Sequence, residues 1–199
     1  MLKKQSEQIK ELTDKEIVIS LYMTQLLIFV FSCILSLFLF NSYNEFKVMW
    51  DLSSVKVIYY GVSVAAIVIV IDYVLMKVLP VHLLDDGGVN DKIFKNRSIP
   101  HIVILTGIIA ISEEFLFRGV IQTNYGIWIA SIIFALLHFR YVTKWVLFTL
   151  VISISFLLGI VYELTDSLYT TILAHFIIDL VFAIQIRLKF IKGVRNNNE

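Results

Sequence analysis

The sequence predicts an all-α, multi-pass membrane bundle of about six spans, with both termini on the cytoplasmic side. Three observations predict it. First, 58% of the 199 residues are hydrophobic and 17% are charged, with a mean hydropathy of +0.83. A soluble domain of this size would leave much of that apolar surface facing water, whereas lipid accepts it. Second, Ile17–Phe40 passes without one charged residue, enough to cross a hydrocarbon core of about 30 Å at about 1.5 Å per residue. Third, the basic residues segregate to one side of the topology these spans define.

The elements follow in order. Residues 1–16 are polar and lysine-rich, expected as a cytoplasmic segment, either a short helix or a frayed tail. Ile17–Phe40 is the first span, and the mixed stretch Asn41–Lys56 reads as a loop. The second span runs from about Val57 to Leu79, where Pro80 ends it. Asp85-Asp86-Gly87-Gly88 marks a turn-rich connection to Pro100. Four further apolar stretches follow, at about 99–122, 127–139, 145–162 and 168–186. Asn124-Tyr125-Gly126 reads as a hairpin turn, and Thr165-Asp166-Ser167 as a turn leading into a helix N-cap. Residues 17–99 thus hold two helices and their loops, 100–190 a four-helix core, and 191–199 a cytoplasmic tail.

With six spans and the N-terminus inside, fourteen of the seventeen Lys and Arg residues fall on the inner side. Lys47 and Lys56 fall outside, and Arg118 lies within a span. That asymmetry is the positive-inside pattern, and adding or removing one span destroys it. The net charge of +1 gives no support to a nucleic-acid partner. Cys33 has no second cysteine to pair with. The first apolar run is too long for a signal-peptide core and lacks a small-residue cleavage site behind it.

Seven ionisable residues lie inside these spans: Asp72, Glu113, Glu114, Arg118, His138, His175 and Asp179. A charged side chain at mid-helix costs roughly 2.5 kcal/mol or more, so such groups face a protein interior and often serve function. Asp72 alone reads as a packing group or a partner for Lys77. The other six, confined to the last four spans, form a set. Glu114 and Arg118 are i,i+4 and can pair within one helix, while Glu113 points about 100° away. His175 and Asp179 are also i,i+4, on one face. Counting from a hairpin tip at Tyr125–Gly126, Glu113 and His138 lie at equal depth on antiparallel helices, and His175 and Asp179 bracket that level.

Amide hydrolysis needs a general base for water, a group for the oxyanion and a proton donor for the leaving amine. Glutamate and histidine in a dry site can supply these. Glu113, His138 and His175 could also ligate a divalent metal such as zinc with an open position for water. No Gly-x-Ser-x-Gly elbow is present, and Cys33 is remote in sequence from any histidine, so a serine or cysteine nucleophile has little support.

Glu113-Glu114-Phe115-Leu116-Phe117-Arg118 resembles the EExxxR motif of the CAAX-protease and bacteriocin-processing (CPBP, or Abi) intramembrane endopeptidases. Phe134 to His138 resembles their FxxxH motif, and His175 to Asp179 their HxxxN/D motif. Gly159 with Tyr162, and Thr165 to Leu168, resemble a weaker third motif and the turn after it. The similarity covers about residues 100–185, with motif order and spacing in agreement.

The resemblance implies that Glu113 activates water, helped by His138, while His175 and Asp179 bind the oxyanion or orient the substrate carbonyl. Glu114 and Arg118 would hold the motif helix in place. Asp179 stands where many members carry asparagine, and an ionised aspartate accepts hydrogen bonds without donating them. Family members are often described as metalloproteases, yet a metal-free, glutamate-activated water fits these residues equally. The expected partners are the lipid bilayer and a peptide or membrane-protein substrate, in a bacterial plasma membrane. Two other readings of the polar set are a non-catalytic immunity or scaffold module and an ion-coupled transporter. The small size and the lack of an inverted repeat weigh against the transporter.

Overall fold

The computed structural model describes residues 12–52 and 55–196, with side chains to residue 191. Residues 1–11 and 197–199, parts of the expected terminal segments, lie outside the described residues. The described chain is helical, in the order α1 (Asp14–Leu39), α2 (Tyr43–Val48), α3 (Lys56–Val78), α4 (Val81–Leu84), α5 (Val89–Phe94) and α6 (Ile99–Glu114). A π-helical segment (Phe115–Gln122), α7 (Thr123–Leu137), a 3-10 turn (Phe139–Tyr141), α8 (Trp145–Thr165) and α9 (Leu168–Asn196) follow. Two connections expected as irregular carry short helices instead: α2, begun by Ser42 accepting from the Glu45 N–H, and the α4–α5 pair.

Among the described residues, five continuous helical segments are long and apolar enough to cross a membrane, and one of them, Ile99–Leu137, has 39 residues. That segment reverses at Gly126, with φ 83 and ψ 167, a region open essentially to glycine alone. The reversal is visible in the packing. Phe117 meets Phe134 edge to face at 4.8 Å, and Arg118 lies over the same ring at 5.6 Å. The segment therefore counts as two antiparallel spans, and the six-span reading stands.

Neighbour contacts fix the relative directions. Val18 packs with Ile102 and Leu105, and Ile28 and Leu35 pack with Leu116 and Ile121, so α1 runs parallel to α6. Leu168 packs with Phe115 and Val120 while Ala183 packs with Ile102, so α9 runs antiparallel to both. Apolar side chains such as Leu37 and Phe38, each 81% exposed, cover the outside of the bundle, as a lipid-facing surface requires. Inside sit small and polar residues, among them Ser32, Ala110, Ser155 and Ala174, which let helices approach closely.

Each end of the bundle is tied. Thr13 and Glu16 form a capping box at the start of α1. Asn96 donates to Asp14 Oδ2 at 2.8 Å and Arg97 to the Asp14 carbonyl at 3.0 Å. At the far end, Leu168 N–H donates to the Met49 carbonyl and the Ser167 hydroxyl to the Asp51 carbonyl at 2.7 Å. Ser167 thus fastens the α1–α3 connection instead of capping α9 with its side chain. Trp50 and Phe46 pack onto Phe115, centroids 5.6 and 6.1 Å away, closing the bundle beside the π segment.

Candidate active site

Glu114 ends α6 where the helix widens into the π segment. A π turn is rare and concentrates at functional sites, and here the extra width is bridged by Thr123, whose hydroxyl donates to the Arg118 carbonyl five residues back at 3.0 Å. Arg118 and Glu114 are completely buried, with Nε and Oε2 3.2 Å apart. The guanidinium N–H is not aimed along that line, so the pair is an ionic contact without a formed hydrogen bond. Arg118 Nη2 donates to Ser155 Oγ on α8 at 3.1 Å, which brings a third helix into the cluster.

The other Glu114 oxygen reaches α9. His175 Nδ1 donates to Glu114 Oε1 at 2.8 Å, and His175 is 8% exposed. Its second ring nitrogen, Nε2, lies 3.6 Å from Asp179 Oδ2, with the Asp179 side chain 28% exposed. Because Nδ1 is committed to Glu114, Nε2 is the nitrogen that faces outward from the cluster. A chain of polar contacts therefore runs Ser155–Arg118–Glu114–His175–Asp179 across three helices.

Glu113 stands outside that chain. It is 9% exposed, and its Oε1 accepts a hydrogen bond from Gln25 Nε2 on α1 at 3.0 Å. His138 also stands apart. It sits at the C-cap of α7 with φ −87 and ψ 32, its Nδ1 2.8 Å from the Phe134 carbonyl and its ring 4.4 Å from that of Phe134. A carbonyl only accepts, so Nδ1 carries the hydrogen and Nε2 is the basic nitrogen. Among the described residues no hydrogen bond joins His138 to Glu113 or His175. Its depth nevertheless matches the expectation. Phe134 meets Phe117 and Arg118, so His138, about 6 Å further along α7, is level with Glu113 and Glu114, about one turn back along α6.

The sequence thus points to six site residues, of which the structure joins four directly: Glu114, Arg118, His175 and Asp179. Two contributors carry no motif. Ser155 reads in the sequence as a small packing residue. Gln25 had one available signal, an amide inside a span with no charge, which is costly to bury without a partner.

The same residues can be tested against a metal. Among the described residues, no group of three or more His, Cys, Asp or Glu side chains is arranged to hold an ion. Glu113, His138 and His175 therefore do not make a ligand cage in this structure.

An apolar groove of about 370 Å³ lies between α3, α6 and α9, lined by Val57, Gly107, Ile111, Tyr169, Leu173 and Phe176, with others. On α6 Gly107 and Ile111, and on α9 Ile172 and Phe176, share their helix faces with Glu114 and Asp179 respectively.

Comparison with known proteins agrees with this architecture. Residues 95–181 match the family model described as type II CAAX prenyl endopeptidase Rce1-like. The uncharacterized protein YpbD of Bacillus subtilis (strain 168) is 54% identical over 170 residues, 85% of this chain and 90% of the relative. No solved structure matches. The matched region holds all three motif helices and the Glu114–His175 contact between them, and the chain belongs to the CPBP family of CAAX-type intramembrane proteases.

Proposed function

We propose that this protein is an intramembrane endopeptidase that hydrolyses a peptide bond of a membrane-associated peptide or protein, with Glu113 as the general base. What supports the reading is the different fate of two adjacent carboxylates. Glu114 is spent on Arg118 and His175, whereas Glu113 meets only the neutral amide of Gln25 among its hydrogen-bond partners. The Arg118 charge acts on Glu113 only through space, and a carboxylate that no cation hydrogen-bonds keeps an oxygen to take a proton from water.

The chemistry then runs through this chain's own side chains. Glu113 accepts a proton as the water oxygen attacks the scissile carbonyl carbon, and the carbonyl oxygen becomes an oxyanion. His175, carrying a proton on both ring nitrogens between the Glu114 and Asp179 carboxylates, offers its Nε2 N–H to that oxyanion. Asp179, an acceptor when ionised, orients the His175 ring and does not itself bind the oxyanion. The C–N bond breaks as Glu113 returns its proton to the leaving amine, giving one carboxylate and one amine product. His138, level with Glu113, assists the proton transfer through Nε2. Glu114, Arg118 and Ser155 hold α6, α8 and α9 in register. The lipid bilayer is the working environment, and the bacterial relative favours a plasma membrane.

The test compares membrane and secreted peptides from cells carrying wild-type or Glu113→Gln protein, each with and without a chelator in isolated membranes. The expected result is a set of cleavage products that vanishes in the variant while the amount of folded protein stays constant. Products that persist in Glu113→Gln overturn the assignment and favour a non-catalytic membrane module. Loss of products with chelator in wild-type membranes would require a metal that the present side-chain placement does not cage.

A further inference from the structure

Gln25 lies on α1, outside the region matched by the family model, and is 2% exposed. Its Nε2 donates to Glu113 Oε1 at 3.0 Å across 88 positions of sequence. Its own Oε1 is buried without a hydrogen-bond partner among the described residues. A glutamine kept only for packing is poorly explained by this pattern. An apolar side chain of the same size would fill the space without burying an unpaired carbonyl, as Ile17 and Val18 do nearer the start of α1 and Ile28 does one turn further on. The one polar contact Gln25 makes is to the carboxylate assigned as base.

We infer that Gln25 is a positioning residue for that base: its amide holds Glu113 Oε1, fixing the carboxylate so that the second oxygen, Oε2, takes the proton from water. The inference rests on the reading of Glu113 given above. It gives the N-terminal helix a part in the reaction beyond lining the bundle. A carboxylate held at one oxygen presents the other in one orientation, and a small loss of alignment at a reacting group lowers the rate steeply.

The experiment uses the full chain in lipid nanodiscs and a synthetic peptide spanning a cut site found from the wild-type and Glu113→Gln comparison. Gln25→Met keeps the volume and removes the amide. Gln25→Glu keeps shape and polarity but presents a carboxylate where the donor was. Both are expected to lower kcat about ten- to a hundredfold with KM within about twofold of wild type. Ser32→Ala, on the same helix and also buried, bonds only to its own helix through Ile28 and is expected to leave kcat unchanged. If Glu113→Gln loses no products, the parent reading fails and this one with it. If Glu113→Gln is inactive while both Gln25 variants keep wild-type kcat, or if kcat falls only in step with the fraction of folded protein, Gln25 is a packing residue and the inference alone is overturned.

Discussion

Glu114 and His175, 61 positions apart in sequence, share a buried hydrogen bond of 2.8 Å. Through it the motif on α6 and the motif on α9 become one unit, and Arg118 extends the unit to Ser155 on α8. The pair that joins the helices is therefore not the pair assigned to activate water. Glu114 ties the helices together, and the proposed chemistry falls to its sequence neighbour Glu113.

Arg118→Met should be among the most damaging single changes in the core. It leaves the fully buried Glu114 carboxylate with its His175 hydrogen bond but without its guanidinium, and breaking a buried ion pair by removing one partner costs about 3–5 kcal/mol. Thermal unfolding in detergent should show a large drop in midpoint. Arg118→Met combined with Glu114→Leu should recover part of it, since the uncompensated charge is gone. No recovery in the double variant would place the cost in packing or in the buried His175 Nδ1–H left without its acceptor.

Two glycines should fail for different reasons. A Cβ on Gly159 would sit 2.7 Å from Ile127 Cγ1 and 2.9 Å from Gln122 Oε1, and Gln122 is itself fixed by donating to the Gly159 carbonyl at 2.8 Å. Gly159→Ala should destabilise by about 1–3 kcal/mol through overpacking, and Ile127→Ala should relieve it. Gly126 has open space around it but a backbone at φ 83 and ψ 167. Gly126→Ala should cost about 1–3 kcal/mol through strain, with no relief from any trimmed neighbour. Melting curves of the four variants separate the two causes.

Asp179 should tolerate asparagine better than alanine. If its task is to orient His175 Nε2, an amide oxygen can still accept from that N–H, so Asp179→Asn should keep kcat within about threefold of wild type. Asp179→Ala should lower kcat about ten- to a hundredfold through a loosely held imidazole. Equal losses in both variants would show that the aspartate's charge is what matters.

Membrane orientation can be read by labelling. In a Cys33→Ser background, cysteine at Asn44, exposed in the first turn of α2, should react with an impermeant maleimide on intact cells. Cysteine at Ser98, exposed before α6, should react only after permeabilisation. The expectation comes from the placement of fourteen of the seventeen basic residues on the Ser98 side. The reverse pattern would invert the topology while leaving the fold intact.

The sequence by itself determined the spans, their number and the local pairs. Uncharged runs measure bilayer thickness, Gly126 forces a reversal, and Glu114 with Arg118 and His175 with Asp179 are neighbours by helix geometry alone. The three short connecting helices and the π segment were not legible, because they are stabilised by contacts from elsewhere, such as Phe46 and Trp50 on Phe115.

Only the tertiary structure decided which groups meet across helices: His175 with Glu114, Gln25 with Glu113, Arg118 with Ser155. The physical reason is rotation. A soluble helix declares its inward face by an apolar stripe, but these spans are apolar all round, and lipid does not select a face. The angle at which each helix turns its few polar residues inward is set by close packing against its neighbours.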